Sequence, residues 1–153
     1  MMNELENNAS FFRFEDLRIY DKSMEYIDWL YGKMTQIPCD NAVTVQFPIV
    51  AFLKSASKIA LNTAEGSSRS KSQFLYYMKL AKSAVRECVA FTEISRKVGI
   101  FDDEMYEHSR NQLMELTKMI GSLISSLQRS IGSSTTVDKI ENPMEPMSDI
   151  DDF

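Results

Sequence analysis

A chain of 153 residues with 44% hydrophobic residues, 25% charged residues and a net charge of −5 has room for one domain with its own core. Glycine and proline are scarce, which argues against a loop-rich or β-rich chain and for an all-α fold. The longest apolar run, 42–53, is broken by Gln46 and Pro48 and falls well short of the roughly 20 residues a membrane span needs. The opening MMNELENN is polar and acidic, unlike a secretory signal, so a cytoplasmic protein with no membrane partner is expected.

Residues 1–10 are expected to form a flexible lead, and 11–132 the folded domain. Phe14-Glu15-Asp16-Leu17 is expected to open helix 1, with Glu15 and Asp16 placed to meet the positive helix N-terminus. Leu17, Tyr20, Met24, Ile27, Tyr31 and Met34 recur by three and four and make the expected core stripe. Ile19, Tyr26 and Leu30 fall on nearly the opposite face. A helix with two apolar faces is covered on both, so these three residues are assigned to a homo-oligomer interface. Gly32 costs a helix only about 1 kcal/mol and is read through. The stretch 37–41, with Pro38, is expected to be a loop.

Helix 2 is expected to begin near 45–48, with Pro48 in its first turn. Ile49, Phe52, Ala56, Ile59 and Thr63 form its inner face, with Lys54, Lys58 and Glu65 opposite. Gly66 is expected as the left-handed stop. Ser70, with Gln73 three residues later, has the pattern of a capping box for helix 3. The inner stripe there is Phe74, Tyr77, Ala81, Ala84, Cys88 and Phe91, with Lys79, Lys82 and Arg86 opposite, and Gly99 ends the helix. Ala81, Ala84 and Ala90 are expected to allow close packing. Asp102 caps helix 4, whose stripe of Leu113, Leu116, Ile120, Leu123, Leu127 and Ile131 runs to Gly132. The expected fold is an antiparallel up-down-up-down four-helix bundle.

From 133 the apolar pattern stops, and 133–153 is expected to be a disordered acidic tail. Its tip, with Asp151, Asp152 and Phe153, is similar to the acidic Phe-ended tips by which bacterial single-stranded-DNA-binding proteins dock partners. The charge is unevenly spread. Residues 54–97 hold nine basic against three acidic residues, whereas the tail is acidic. Lys54, Lys58, Arg69, Lys71, Lys79, Lys82 and Arg86 are expected to merge into one basic surface on helices 2 and 3, with sequence-independent affinity for RNA or DNA phosphates. Tyr76, near the edge of that face, is the one ring placed to stack a base.

Catalytic chemistry is not expected. A ferritin-like di-iron site needs two Glu-x-x-His motifs, but His108 is the single histidine and Met105 stands three residues before it. The stretch 66–72 is polar and basic but lacks the GxxxxGK[ST] phosphate loop. Cys39 and Cys88 show no metal spacing, and Cys88, on a core stripe, is expected as a small buried hydrophobe. No cofactor or metal is implied.

Three stretches carry a resemblance. Phe14-Glu15-Asp16-Leu17-Arg18-Ile19-Tyr20-Asp21-Lys22 resembles the opening motif of the four-helix bundle proteins encoded in intervening sequences of bacterial 23S rRNA genes, also labelled S23 ribosomal protein. Asn62-Thr63-Ala64-Glu65-Gly66 resembles that family's Asn-Ile-Ala-Glu-Gly signature, and Phe74 through Ala81, Ala84 and Glu87 follow its helix 3 pattern. Phe14, Asp16, Leu17, Asn62, Glu65 and Gly66 are taken as structural, with Asn62 expected to bond across to another helix. The chain departs from the family at Ala60, where Pro is usual, and at Ser55 and Lys58, where an Arg pair is usual. The resemblance implies a homopentamer and kinship with the accessory proteins of diversity-generating retroelements, hence a reverse transcriptase or nucleic acid as partner. The alternative is a protein–protein adaptor that uses the apolar helix 1 face or the acidic tip.

Overall fold

The computed structural model describes residues 12–38 and 42–141. They form a 3-10 turn at Arg13–Asp16 and four helices, α1 Arg18–Met34, α2 Ala42–Ser67, α3 Lys71–Lys97 and α4 Asp103–Glu141, with no strand among the described residues. Contacts between helices fix their directions. Ser55 meets Glu87 and Gly66 lies against Tyr77, so α2 and α3 are antiparallel. Thr92 meets Ser109 while Lys71 meets Ser130, so α3 and α4 are antiparallel too. Trp29 packs on His108 and Lys22 pairs with Glu115, which sets α1 against α4 in the same sense. The bundle is therefore up-down-up-down.

Local chemistry accounts for most boundaries. The Ser70 hydroxyl accepts the Gln73 N–H at 3.3 Å and the Asp102 carboxylate accepts the Met105 N–H at 2.8 Å, satisfying first-turn donors of α3 and α4. At the end of α3, Gly99 takes φ +80°. The Ile100 N–H then returns to the Ser95 carbonyl at 2.8 Å and the Gly99 N–H to Arg96 at 3.1 Å. That pair of bonds is a Schellman stop. It delivers Phe101 into the end of the bundle, against Trp29 and Phe52.

Several boundaries differ from expectation. Phe14, Glu15 and Asp16 lie in the 3-10 turn, and α1 begins after an extended Leu17. Pro48 sits inside α2 rather than in its first turn, because α2 already starts at Ala42. Gly66 does not stop α2, which continues to Ser67 with no left-handed residue. α4 runs past Gly132 to Glu141. The Ser/Thr-rich stretch beyond Gly132 contains no proline, and the first strong breaker is Pro143. Residues 142–153, including Asp151, Asp152 and Phe153, lie outside the described residues, as do 1–11 and Cys39.

The core overturns the face assignment on α1. Ile19, Tyr26, Leu30 and Met34 are buried within this one chain, together with Phe52, Ala56, Ile59, Met78, Ala81, Val85, Cys88, Leu113, Leu116 and Ile120. Ile19, Tyr26 and Leu30 are thus core residues, not an oligomer interface. Met24 and Tyr31, assigned inward by periodicity, are 43% and 45% exposed. The reason is polar as well as apolar. The Tyr26 hydroxyl shares a hydrogen bond of 2.8 Å with Ser109, Ser109 meets Thr92 at 2.7 Å, and Thr92 donates to the Cys88 carbonyl. Such a relay satisfies every buried hydroxyl only if Tyr26 points inward. Burial raises the Tyr26 phenol and the Cys88 thiol above their ordinary values, so both stay neutral. Ala81 and Ala84 are buried as expected, but Ala90 is exposed.

Candidate nucleic-acid interface

The seven basic residues expected to merge do not form one patch. Lys79, Arg86 and Glu93 stand seven residues apart on α3 and so share a face. Glu93 accepts from the Tyr106 hydroxyl at 2.6 Å and from Arg110 at 2.7 Å, both on α4. The stripe of Lys79, Lys82 and Arg86 therefore flanks α4. Glu87, one position round the helix, faces α2, where it accepts from Ser55 at 2.6 Å and pairs with Lys58 at 3.5 Å. Lys54 and Lys58 lie on that other flank, and Lys58 is partly neutralised there. Arg69 pairs with Glu65, four residues back on the same turn, and this bond raises the guanidinium above its ordinary value. Lys71 reaches across to the Ser130 hydroxyl at 2.7 Å.

What the fold creates instead is a positive α3–α4 surface. The Lys71–Ser130 and Thr92–Ser109 contacts fix the register, so residues 71–86 of α3 run beside roughly 115–130 of α4. Neither 71–86 nor 116–133 contains an Asp or Glu. The first carries Lys71, Lys79, Lys82 and Arg86; the second carries Arg129 and also Lys118, which lines a cleft between α1 and α4. Lys79, Lys82 and Arg86 make no ion pair among the described residues. Sequence reasoning singled out the α3 cations but did not weigh Arg129, beside the Ser130 that meets Lys71. The gap in acidic residues on both segments is the signal that marks it.

The motif residues act structurally. Asn62 is half-buried and donates to the Lys58 carbonyl at 2.8 Å, within its own helix rather than across to another. Gly66 is buried, and a Cβ there would lie 2.6 Å from the Tyr77 Cβ and 2.9 Å from a Phe74 ring carbon. The glycine is needed for close approach of α2 and α3, not for a turn.

An open cleft of about 520 Å³ between α1 and α4 is lined by Arg18, Asp21, Lys22, Glu25, Glu115 and Lys118. Three of its charges pair with one another. Lys22 meets Glu115 at 2.7 Å and Glu25 at 3.4 Å. The Glu115 bond holds Lys22 above, and Glu115 itself below, their ordinary values. Among the described residues no group of three or more His, Cys, Asp or Glu is placed to hold a metal. His108 is exposed and rests on the Trp29 ring, with centroids 4.5 Å apart.

The profile of the 23S rRNA-intervening sequence proteins matches residues 15–122, which is more than half of the chain. The chain belongs to this family. The matched span includes the α3 stripe and the Asn62–Gly66 motif. A solved structure of a protein of unknown function from the S23 ribosomal protein family of Bacteroides thetaiotaomicron VPI-5482 superposes with a TM-score of 0.60. It is 22% identical, over 70% of this chain and 95% of that one, a likeness that speaks for the fold alone. No curated protein matches. No helix among the described residues is long and apolar enough to cross a membrane.

Proposed function

We propose that this chain is a non-enzymatic helical scaffold that binds RNA or DNA, alone or on a nucleic-acid enzyme such as a reverse transcriptase, through the α3–α4 surface. One observation carries the reading. Lys79, Lys82 and Arg86 stand in one stripe without an ion pair among the described residues, on a stretch of α3, 71–86, that contains no carboxylate. A solvated helix face ordinarily mixes both signs, whereas a surface of one sign attracts phosphates. Tyr76, the exposed ring nearest the stripe, stands on the α2 flank of α3 in line with Glu87, so affinity comes from charge rather than base stacking. The test is fluorescence anisotropy with labelled single-stranded RNA and DNA across a salt series. Binding in the micromolar range is expected, and Lys79→Glu with Lys82→Glu and Arg86→Glu should abolish it. Three lost contacts on a single strand correspond to a salt slope lower by about 2. Lys54→Glu with Lys58→Glu should change little. Absence of binding by the unaltered chain at low salt overturns the proposal.

Self-association is part of this reading, on a surface different from the one the α1 pattern indicated. Val50, Leu61, Tyr76, Leu80 and Ile94 are exposed. Tyr76, Leu80 and Ile94 share the face of Glu87 and so border the groove with α2, and Val50 and Leu61 lie beside that groove on the outer face of α2. Leu61 at 67% and Tyr76 at 59% are unusually open for such residues. This groove also supports the second reading, an adaptor that holds a protein partner without nucleic acid. Sedimentation of Leu61→Glu against the unaltered chain distinguishes them. A smaller particle identifies the groove as the self-contact, and an unchanged one refutes that use.

A further inference from the structure

We infer that the outer face of α1 seats a basic amphipathic helix of a partner protein. That helix lays an apolar seam on Leu17, Tyr20, Met24, Ile27 and Tyr31 and sets Lys or Arg against Asp21 and Asp28. The surface is separate from the α3–α4 cations and does not depend on the phosphate-binding reading.

The seam follows from how α1 is turned in the bundle. Lys22 and Trp29, seven residues apart, face α4, where they meet Glu115 and His108. Tyr20 and Ile27, two positions before each, fall on the opposite flank, beside α2. Leu17, Tyr20, Met24, Ile27 and Tyr31 succeed one another by three, four, three and four residues, the a and d spacing of a coiled coil. Met24 and Tyr31 are exposed and the other three are half-buried. The apolar surface continues beyond the start of α1. There the Phe14 ring meets the Tyr20 ring edge-on at 5.1 Å, and the exposed Phe12 ring stacks on Phe14 at 5.7 Å. From Leu17 to Tyr31 the seam is about 21 Å long, which suits a partner helix of about 15 residues.

Charge names the occupant. Asp21 and Asp28 stand one position after Tyr20 and Ile27, at the e positions of the same heptad. Both are exposed, and neither makes an ion pair among the described residues. The g positions, Ser23 and Leu30, are buried in this chain's own core, so the open edge of the seam is the acidic one. Arg18 and Lys22 lie further round, on the α4 flank, and Lys22 is held by Glu115. Charges at the edge of such a seam select its partner. A second copy of this chain laid antiparallel on the seam brings the two e lines together, Asp against Asp, and is repelled. A helix with Lys or Arg at those places meets opposite charge.

Two fluorescein-labelled three-heptad peptides serve as probes. Both carry leucine at a and d, one with lysine and the other with glutamate at e and g. By anisotropy with the full chain at about 50 mM salt, the lysine peptide is expected to bind at least about fivefold more tightly, with a smaller gap at about 500 mM. Asp21→Lys with Asp28→Lys should invert the order. Glu104→Lys with Glu107→Lys, the same change of charge at exposed positions of α4, should preserve it. Met24→Glu with Tyr31→Glu should abolish binding of the lysine peptide, and a thermal melt checks that these exposed positions leave the fold intact. No binding of the lysine peptide, an order unmoved by the Asp changes, or binding that survives Met24→Glu with Tyr31→Glu each overturns the inference and leaves the α3–α4 surface standing. A smaller particle in sedimentation for that last variant identifies the seam as a contact between copies and overturns the inference as well.

Discussion

Gly66→Ala is the substitution for which the structure sets the sharpest expectation. On propensity alone alanine is better than glycine inside a helix by about 1 kcal/mol, and Gly66 has helical neighbours on both sides. The space around it reverses the sign. An added Cβ would stand 2.6 Å from the Tyr77 Cβ and 2.9 Å from the Phe74 Cδ2. Ordinary carbon contacts begin near 3.5 Å, so about 1 Å must be found. The Tyr77 Cβ is fixed to the α3 backbone, and no rotamer change removes it. α2 and α3 must separate locally, which breaks packing around the Ser70 turn. Overpacking of this kind costs about 1–3 kcal/mol even after relaxation. Set against the propensity gain, a net loss of up to about 2 kcal/mol is expected, or up to about 8 °C in Tm for a chain of this size. Gly32 and Gly121 supply the control, because a Cβ at either meets nothing within 4 Å. Gly32→Ala and Gly121→Ala should each raise stability by up to about 1 kcal/mol. Urea unfolding followed by circular dichroism measures all three. Gly66→Ala as stable as Gly32→Ala would refute the close-approach argument and return the glycine to the role of a helix stop.

Other expectations concern the core, the caps and the charged seam. Tyr26→Phe keeps the ring but removes the bond to Ser109, which retains Thr92 as a partner, so a loss of about 0.5–1.5 kcal/mol is expected by urea unfolding. Asp102→Ala leaves the Met105 N–H without its cap at 2.8 Å and should cost about 1 kcal/mol. The Lys22 bond holds the Glu115 carboxyl below the ordinary carboxylate range, so its contribution to stability is present above that range and is lost as pH falls through the lower folded value. Glu115→Gln should therefore flatten the acid limb of a stability–pH curve without changing its shape near neutrality on the carboxylate's account. Cys88 is buried with its thiol held neutral, and a thiol reagent should modify it at the rate of unfolding rather than at the rate of the free thiol.

Much of this fold is written in local signals. The all-α class, the order of four helices, the Ser70 and Asp102 caps and the Gly99 stop each depend on residues within a few positions of one another, and each stands in the structure as the pattern implies. Membership of the 23S rRNA-intervening sequence proteins was likewise legible in the Phe14–Lys22 and Asn62–Gly66 motifs. Gly66 shows the limit of such signals. A glycine near a helix end suggests a left-handed stop, and only the position of Tyr77 on the neighbouring helix reveals that the missing Cβ is what matters.

The same division separates what the sequence determined by itself from what only the tertiary structure decided. Periodicity shows that α1 has two apolar stripes, but both satisfy the same spacing, and nothing local says which one turns inward. The choice was made by partners distant in sequence, since Ser109 and Thr92 meet the Tyr26 hydroxyl and leave Met24 and Tyr31 outside. Spacing likewise placed Lys79, Lys82 and Arg86 opposite the α3 core stripe. It could not say that this flank borders α4 rather than α2, because that depends on how the helices are arranged around the core. Charge counted along the chain is a local property, whereas charge brought together by an antiparallel register belongs to the fold. Residues 71–86 and 116–133, each without a carboxylate, come side by side only when α4 lies back along α3.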